Sequence, residues 1–507
     1  MKITFLGHAG FLAETESAIL IADPWLSPSG AFDAAWFQFP RNHHLAALVQ
    51  EKLADSGKMR YLYISHEHKD HFDKSFLDSI QCRDFTVILP RFDRPALAEA
   101  MSDYRCSDVV LAEDQEEVKI SGGTLKLYLD DSELNRDSAM LLKADGQAFL
   151  NLNDCRITDA LPIIRREEGG IDVLASQFSG ANWHPVCYDY PLERYQAISK
   201  KKIMAKFNAV AQGIKTISPT FYLPSAGPPC FLDPTLLGIN FEPVNIFPQA
   251  WVLTRYLERR FPASATAWPE LMPGDVLDVT TGSVHALGAE RVDEGGFRRY
   301  IEDYATQYAG LFQARQDLYE AAEPASLLER LQADLRGKLD ALELHDRVNT
   351  NLYFGFTDVP DVMLRVNFPE REIATVRAVD EASFYQIRAP SWEDFAHTFR
   401  LRLTRAPDVY QTIISAFIRL EPPDLNRFCR KILNIENRQE RIVKEANGTR
   451  YVVDRYCPHQ GGDLLYGWIE GDRYLTCPRH GWRYDLENEG VCPENVGTVH
   501  AVSLEED

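Results

Sequence analysis

The sequence predicts a layered α/β protein that continues into an α+β accessory region and ends in a small all-β domain. Three observations predict it. Over residues 1–245, short β-rich runs alternate with helical patterns. Over 246–435 the texture changes to long helical stretches around a few strands. Over 436–507 short strands are separated by Gly and Asn-Gly turns.

In the first region KITFLGHAGFLAE, AILIADPWL, YLYISHEH, FTVILP, GTLKLYL, SAMLLKADGQAFLNLND, DVLASQFSG and FYLPSAG read as strands or strand ends. Several stop at Gly, Asp or His, where a loop can present a side chain. In the second region Ser326 to Leu342 is a predicted helix. Ser326 and Glu329 form a capping-box pattern, and Leu327, Leu331, Leu335, Leu339 and Leu342 form one apolar stripe for core packing. DVMLRVNF, EIATVRAV and ASFYQIRA predict a small meander. Trp392 to Leu420 reads as mostly helical, interrupted near Pro407. In the third region IVKEANGTRYVVDRY is a hairpin candidate with Asn447-Gly448 at its tip.

The 507 residues are 45% hydrophobic and 25% charged, enough for about two to four domains with buried cores. Seventy-five acids against 54 bases give −21, which argues against nonspecific binding to nucleic acid or anionic membrane. A local basic pocket for an anionic substrate stays compatible with that balance. No run reaches the ~18 apolar residues of a membrane span. MKITFLGHAGFLAE enters a strand directly and lacks the pattern of a signal peptide. Nine scattered cysteines do not form a disulfide framework, so a reducing cytoplasm is the expected compartment.

Near the end, Cys457 and His459 form C-x-H, and Cys477 and His480 form C-x-x-H, with 17 residues between the pairs. Two Cys and two His also suit zinc. The loops CPHQGG and CPRHGW favour another occupant, because their glycines let backbone approach a bulky inorganic centre. Each loop supplies one Cys and one His, and a Rieske [2Fe–2S] centre holds one iron by two Cys and the other by two His. Residues 439–507 resemble the Rieske domain family, which implies Cys457, His459, Cys477 and His480 as cluster ligands. Cys492 has no motif partner and reads as a small core residue.

Upstream, His66, His68, Asp70 and His71 follow the strand YLYIS. Residues two apart at a strand end converge on one metal, and imidazole with carboxylate suits zinc or iron. This HxHxDH pattern resembles the metallo-β-lactamase superfamily and so implies an αββα sandwich. On that resemblance Asp23 in ADPWL braces the metal loop, Asp154 in FLNLNDC is the bridging carboxylate, and His8 in GHAGF matches the lactonase-like branch. The role of His8 stays open between motif residue and buried structural histidine. The departures are as informative. No histidine lies between His71 and His184, and Ser225 stands where another His is common. The ligand set is therefore depleted or rearranged. His184 in SGANWHP is a candidate late ligand, and Asp137 in NRDSA a weaker one. Fewer fixed ligands leave open positions, as dioxygen chemistry on iron requires.

A cluster that passes single electrons has no task in pure hydrolysis. DPWLSPSGAFDAAWFQFP, YISHEHKDHF, FLNLNDC, QFSGANWHP, LPSAGPP and LTRAPDVYQ resemble CMP-N-acetylneuraminate hydroxylase and its bacterial relatives, although that hydroxylase carries its Rieske module at the other end. The resemblance implies a Rieske-dependent non-haem iron monooxygenase that hydroxylates or N-oxygenates a small polar substrate, an acetamido sugar, sugar nucleotide or amine. Its expected partners are dioxygen and an external electron donor, a b-type cytochrome or ferredoxin with its reductase. Its expected cofactors are the Rieske cluster and one or two non-haem irons, with Asp70, His71 and Asp154 at the chemistry. A homo-oligomer is compatible with electron transfer between subunits. Two alternatives stay open: a zinc lactonase or phosphodiesterase with the cluster as a redox switch, and a non-enzymatic redox sensor or electron carrier. The basic run Lys200, Lys201, Lys202 and Lys206 reads as a solvated helix face, with phosphate recognition as its functional alternative. Arg41, His43 and His44 read as an exposed loop after the DPWL segment, with a place in the pocket lining as the alternative.

Overall fold

The computed structural model describes residues 1–55, 57–131, 136–287, 290–320, 324–357, 361–379, 381–390 and 398–504. Two mixed sheets face each other. In the first, Lys2–Gly7, Gly10–Glu14, Ala18–Ala22, Met59–Tyr63, Thr86–Pro90 and Asp108–Ala112 lie side by side. Asp275–Asp278 pairs with Lys2–Gly7 and Val284–Ala286 closes that edge. In the second the order is Phe221–Ser225, Val173–Gln177, Gln147–Asn151, Arg136–Ala144, Gly123–Asp131 and Glu117–Ile120.

Side-chain alternation explains the layering. In Ala18–Ala22, Leu20 points between the sheets and joins Ile3, Phe11, Ile88, Leu127, Phe149 and Leu223. Its neighbours Ile19 and Ile21 point outward against Leu45, Val49 and Leu53 of the helix Leu45–Ala54. The outer face of the second sheet, with Leu150, Leu174 and Tyr222, meets Ile164, Phe207, Ile214 and Leu253 from three helices. Strands covered on both faces read as continuous apolar runs. The result is the expected αββα sandwich.

Farther on, Leu331, Leu335, Leu339 and Leu342 join Leu352, Val366, Phe417 and Phe428 in one core, so the leucine stripe packs as expected. The side chains of Ser326 and Leu327 fall outside the described residues. Two expectations need correction. The three strands do not form a simple meander, because Asn351–Phe356 inserts between Met363–Asn367 and Phe384–Ala389 and runs parallel to the latter. Its Leu352 to Phe356 are buried without a break, which suits a central strand. Arg402–Ala406 is a strand, antiparallel to Phe384–Ala389, and helix begins only at Thr412. Pairing across the sheet overrides its local helical character, and 391–397, where that helix was expected to start, lie outside the described residues.

At the end of the chain, two three-stranded sheets pack around Cys457, Leu464, Leu475, Cys477, Tyr484 and Val499. The hairpin Arg441–Ala446/Thr449–Asp454 turns at Asn447 (φ 49°) and Gly448 (φ 75°), both left-handed as a type I′ turn requires. Among the described residues no helix is long and apolar enough to cross a membrane.

Candidate metal centres

Strand ends of the two sheets converge on the HxHxDH loop. His8 follows Lys2–Gly7, Asp23 follows Ala18–Ala22, Asn153 lies just past Gln147–Asn151 and Ala226 follows Phe221–Ser225. All four have left-handed backbones, with φ of 50°, 43°, 48° and 42°. For non-glycine residues this stores of order 1 kcal/mol or more each, held by the surrounding fold. The amide of Ala226 donates to the carbonyl of His8 at 2.9 Å, which ties two of these turns together.

Two sets of ligand-type atoms lie within 4.8 Å of one another: His8, Asp70 and His71, and His66, His71 and Asp154. His71 belongs to both. Nε2 of His71 is 3.8 Å from Asp70 Oδ2 and 3.9 Å from Asp154 Oδ2. His8 Nε2 is 3.0 Å from Asp70 Oδ2. His68 joins through His66, whose Nε2 lies 2.8 Å from His68 Nδ1. Outside this group, carboxylates fix the rings. Asp23 accepts from the amide and hydroxyl of Ser65 at 2.8 and 2.6 Å and lies 2.8 Å from His71 Nδ1. Asp137 Oδ1 is 3.2 Å from His66 Nδ1, so it braces a ring. Asp154 Oδ1 accepts from Gln177 Nε2 at 2.6 Å.

The electrostatics of these side chains favour a cation. Burial opposes the charge on Asp70, yet the imidazoles of His71 and His8 hold its carboxyl far below the usual range. Burial also opposes a proton on His71, but Asp70, Asp23 and Asp154 raise it to about 10. Among the described residues, His71 Nε2 and Asp70 Oδ1 are buried without a hydrogen-bond partner. Two orphaned polar atoms aimed into one acidic, imidazole-rich space fit a metal ion.

His184 is not brought to either set. Its Nε2 lies 3.1 Å from the Tyr190 hydroxyl and its ring stands edge-on to Tyr188 at 4.9 Å. His8, conversely, gains a place that its position in the sequence left open. Gln177 was missed, since nothing local marks a glutamine at a strand end.

The second centre is built from two loops. The rings of His459 and His480 are 4.7 Å apart and edge-to-face, and Trp482 stacks on His459 at 4.2 Å. Cys457 and Cys477 are buried, and the Tyr484 hydroxyl lies 3.0 Å from Cys457 Sγ, placed to donate to that sulfur and so tune a cluster's potential. Added at Gly462, a Cβ would sit 3.0 Å from Cys477 Sγ, so glycine keeps the space clear. Among the described residues, His459 Nδ1 is buried and unpartnered. Burial, with Arg156 and Arg419, pushes His459 down to about 3 and leaves the neutral imidazole that ligates iron. Two thiols, two neutral imidazoles and a glycine-lined gap fit the [2Fe–2S] group.

Both loops seat on the sandwich. Asp159, five residues past Asp154, accepts from Arg479 Nε at 3.0 and 2.9 Å and from the Asp463 amide at 3.0 Å. Gly481 packs on Ala205 of the helix Leu192–Ile217, where an added Cβ would meet the alanine at 3.3 Å. The carboxylate of Asp463 turns away to Arg455, at 2.8 Å.

A family model of the Rieske [2Fe-2S] domain matches residues 426–502. A Rieske 2Fe-2S iron-sulfur protein of Mycolicibacterium smegmatis is 30% identical over 536 residues, with 98% of each chain covered. The chain belongs to this family of Rieske 2Fe-2S iron-sulfur proteins. This Rieske protein is also similar, at 50% identity over 53 residues, to the oxygenase component of 3-ketosteroid-9-alpha-monooxygenase of Rhodococcus rhodochrous; that match covers 10% of this chain and 13% of the relative. Among solved structures, CmlA, a diiron beta-hydroxylase from Streptomyces venezuelae, aligns with a TM-score of 0.38 and 16% identity over 56% of this chain and 54% of that chain.

Proposed function

We propose that this Rieske protein is an oxygenase: a dioxygen-dependent monooxygenase with non-haem iron at the His8–Asp154 cluster. The observation that carries the reading is the seating of both cluster loops on Asp159, five residues from Asp154. A cluster domain seated on the sandwich five residues from Asp154 suits electron transfer within a chain. The likeness to a monooxygenase component supports the same reading.

His66, His68, Asp70, His71 and Asp154 are the proposed iron ligands, with His8 added by its contact to Asp70. Cys457, His459, Cys477 and His480 hold the cluster. Iron here would supply dioxygen activation, and the cluster single electrons from a ferredoxin or b-type cytochrome with its reductase. The chain's own part is to orient the rings through Asp23 and Asp137, to position Asp154 through Gln177, and to hold the cluster against the site. The substrate class, a small acetamido sugar, sugar nucleotide or amine, rests on the resemblance to the sugar-nucleotide hydroxylases.

Metal and sulfide analysis of anaerobically purified protein, with EPR of the dithionite-reduced form, tests the reading. The expected result is iron beyond the two atoms of the cluster, without stoichiometric zinc. Zinc in the N-terminal site, with no oxygen-dependent reoxidation of the reduced cluster, would overturn it.

A further inference from the structure

Between the two centres lies a group of cations, none of which has a carboxylate within ion-pair distance among the described residues. The helix Leu192–Ile217 passes beneath the Cys477 loop, and Lys202 and Lys206 flank its contact at Ala205, one turn apart. The Lys206 ammonium meets Gln177 Oε1, and Gln177 in turn holds Asp154. Lys202 Nζ reaches Asn182 Oδ1 at 3.3 Å. Arg156, two residues past Asp154, is close enough to act on both lysines and on both cluster imidazoles. Arg419 stands at the exposed rim and acts on His459 and Arg156.

The nearby acids are already engaged. Glu494 pairs with Lys201 and Arg483, Asp159 with Arg479, and Asp154 faces the metal cluster. Asp130 and Asp137, which also act on Arg156, face Arg479 at 3.5 Å and His66 at 3.2 Å. Among the described residues Arg156 and Arg419 have no carboxylate within ion-pair distance. Arg156, Lys202 and Lys206 are all half-buried. Like charges gathered away from water are costly unless an anion offsets them. The strain is visible on Lys206, whose ammonium burial and Arg156 push well below its usual range. In a chain of net charge −21, a local excess of this kind is specific rather than general.

We propose that Arg156, Lys202 and Lys206 bind an oxyanion of the substrate, a carboxylate or phosphoryl group, between the Rieske histidines and Asp154. Its place as a substrate site rests on the oxygenase reading; its capacity to bind an anion does not. An anion there holds the rest of the molecule against Asp154. It also adds negative charge beside His459 and His480, which disfavours reduction of the cluster and so couples its potential to substrate binding.

The test uses the full chain with its cluster and iron in place. Calorimetric titration at constant ionic strength uses sulfate as the tetrahedral dianion and propionate as the carboxylate, and the cluster midpoint potential is measured with and without each. Saturable binding of either, with a lowered potential, is expected; the tighter anion identifies the group. Arg156→Gln/Lys206→Gln should weaken binding at least about tenfold and abolish the shift in potential. Lys200→Gln, on the exposed face of the same helix, should bind as the parent protein does. Lys202→Gln, which leaves Gln177 untouched, tests the same point if the double variant does not fold. No saturable binding of either anion, or unchanged binding in the variants that do fold, overturns the proposal. Iron-loaded protein that oxygen reoxidises but that ignores both anions loses the anion site and keeps the oxygenase reading. Protein without N-terminal iron that still binds sulfate does the reverse.

Discussion

Arg479 and Asp159 clamp the cluster loop to the sandwich: the guanidinium Nε lies 3.0 and 2.9 Å from the two carboxylate oxygens, and the acid is almost wholly buried. The same carboxylate takes the Asp463 amide from the other cluster loop, so one side chain registers both. Asp159→Ala leaves Arg479 with Asp130 alone, at 3.5 Å. A broken, largely buried pair costs about 3 kcal/mol. The cluster should assemble normally, judged by its visible and EPR spectra, while reoxidation of the reduced cluster by oxygen slows at least about tenfold in stopped-flow measurements. An unchanged rate would remove Asp159 from the docking role.

Asp23 is the brace of the N-terminal site. It holds the Ser65 amide, the Ser65 hydroxyl and the His71 ring at once, with no solvent exposure. Loss of such a partner typically weakens metal binding 10–100-fold. Asp23→Ala should therefore lower the N-terminal metal content after dialysis against a weak chelator and leave the two cluster irons in place. Elemental analysis paired with cluster EPR separates the two pools. Full retention of N-terminal metal would mean that His71 is held by packing alone.

Legibility in the sequence followed distance along the chain. His66, His68, Asp70 and His71 fall within six residues, so their convergence needs only a strand end, and each cluster loop carries its own Cys and His. Buried strands announce themselves as apolar runs, and the leucine stripe declares its core face. What stayed hidden depends on long-range approach. His8 reaches Asp70 across 62 residues, and Arg479 reaches Asp159 across 320. The lysine run looked like a solvated face because nothing local says that a second domain covers Ala205. His184 failed for the opposite reason: proximity in sequence to QFSG suggested the site, but its ring is held by Tyr190. Arg402–Ala406 became strand because an edge of the accessory sheet was open to it.

Cys457 is buried in the core of the C-terminal domain, beside Tyr484, far along the chain from the HxHxDH loop. On the proposed ligand set, Cys457→Ser would remove one of two thiolates from one iron, and a hydroxyl is a poorer ligand for it. The reduced-state EPR signal should disappear or lose most of its intensity, while N-terminal iron stays at the parent level. Oxygen uptake sustained by an external reductant should fall to background. Sustained turnover at the parental rate would sink the electron-relay role of the cluster.

Glu168 offers a stability prediction with a defined pH window. It ends the helix Leu161–Glu168 and ties it to the second sheet, accepting from Lys126 at 2.6 Å, Lys143 at 2.5 Å and the Tyr128 hydroxyl at 3.0 Å. Burial raises its pKa, but the two ammonium groups and the phenol win and hold the carboxyl at about 2. The folded value is depressed, so the unfolded chain takes up the proton first as pH falls. The stabilisation is therefore present above about pH 4.5 and lost as pH drops toward about 2. Glu168→Gln should lower stability by about 1–2 kcal/mol at pH 7, after allowance for solvent screening of partly exposed lysines. Urea midpoints of parent and variant should differ at pH 7, keep part of that difference at pH 3 and draw together at about pH 2. A difference as large at about pH 2 as at pH 7 would assign the loss to packing and geometry instead of charge.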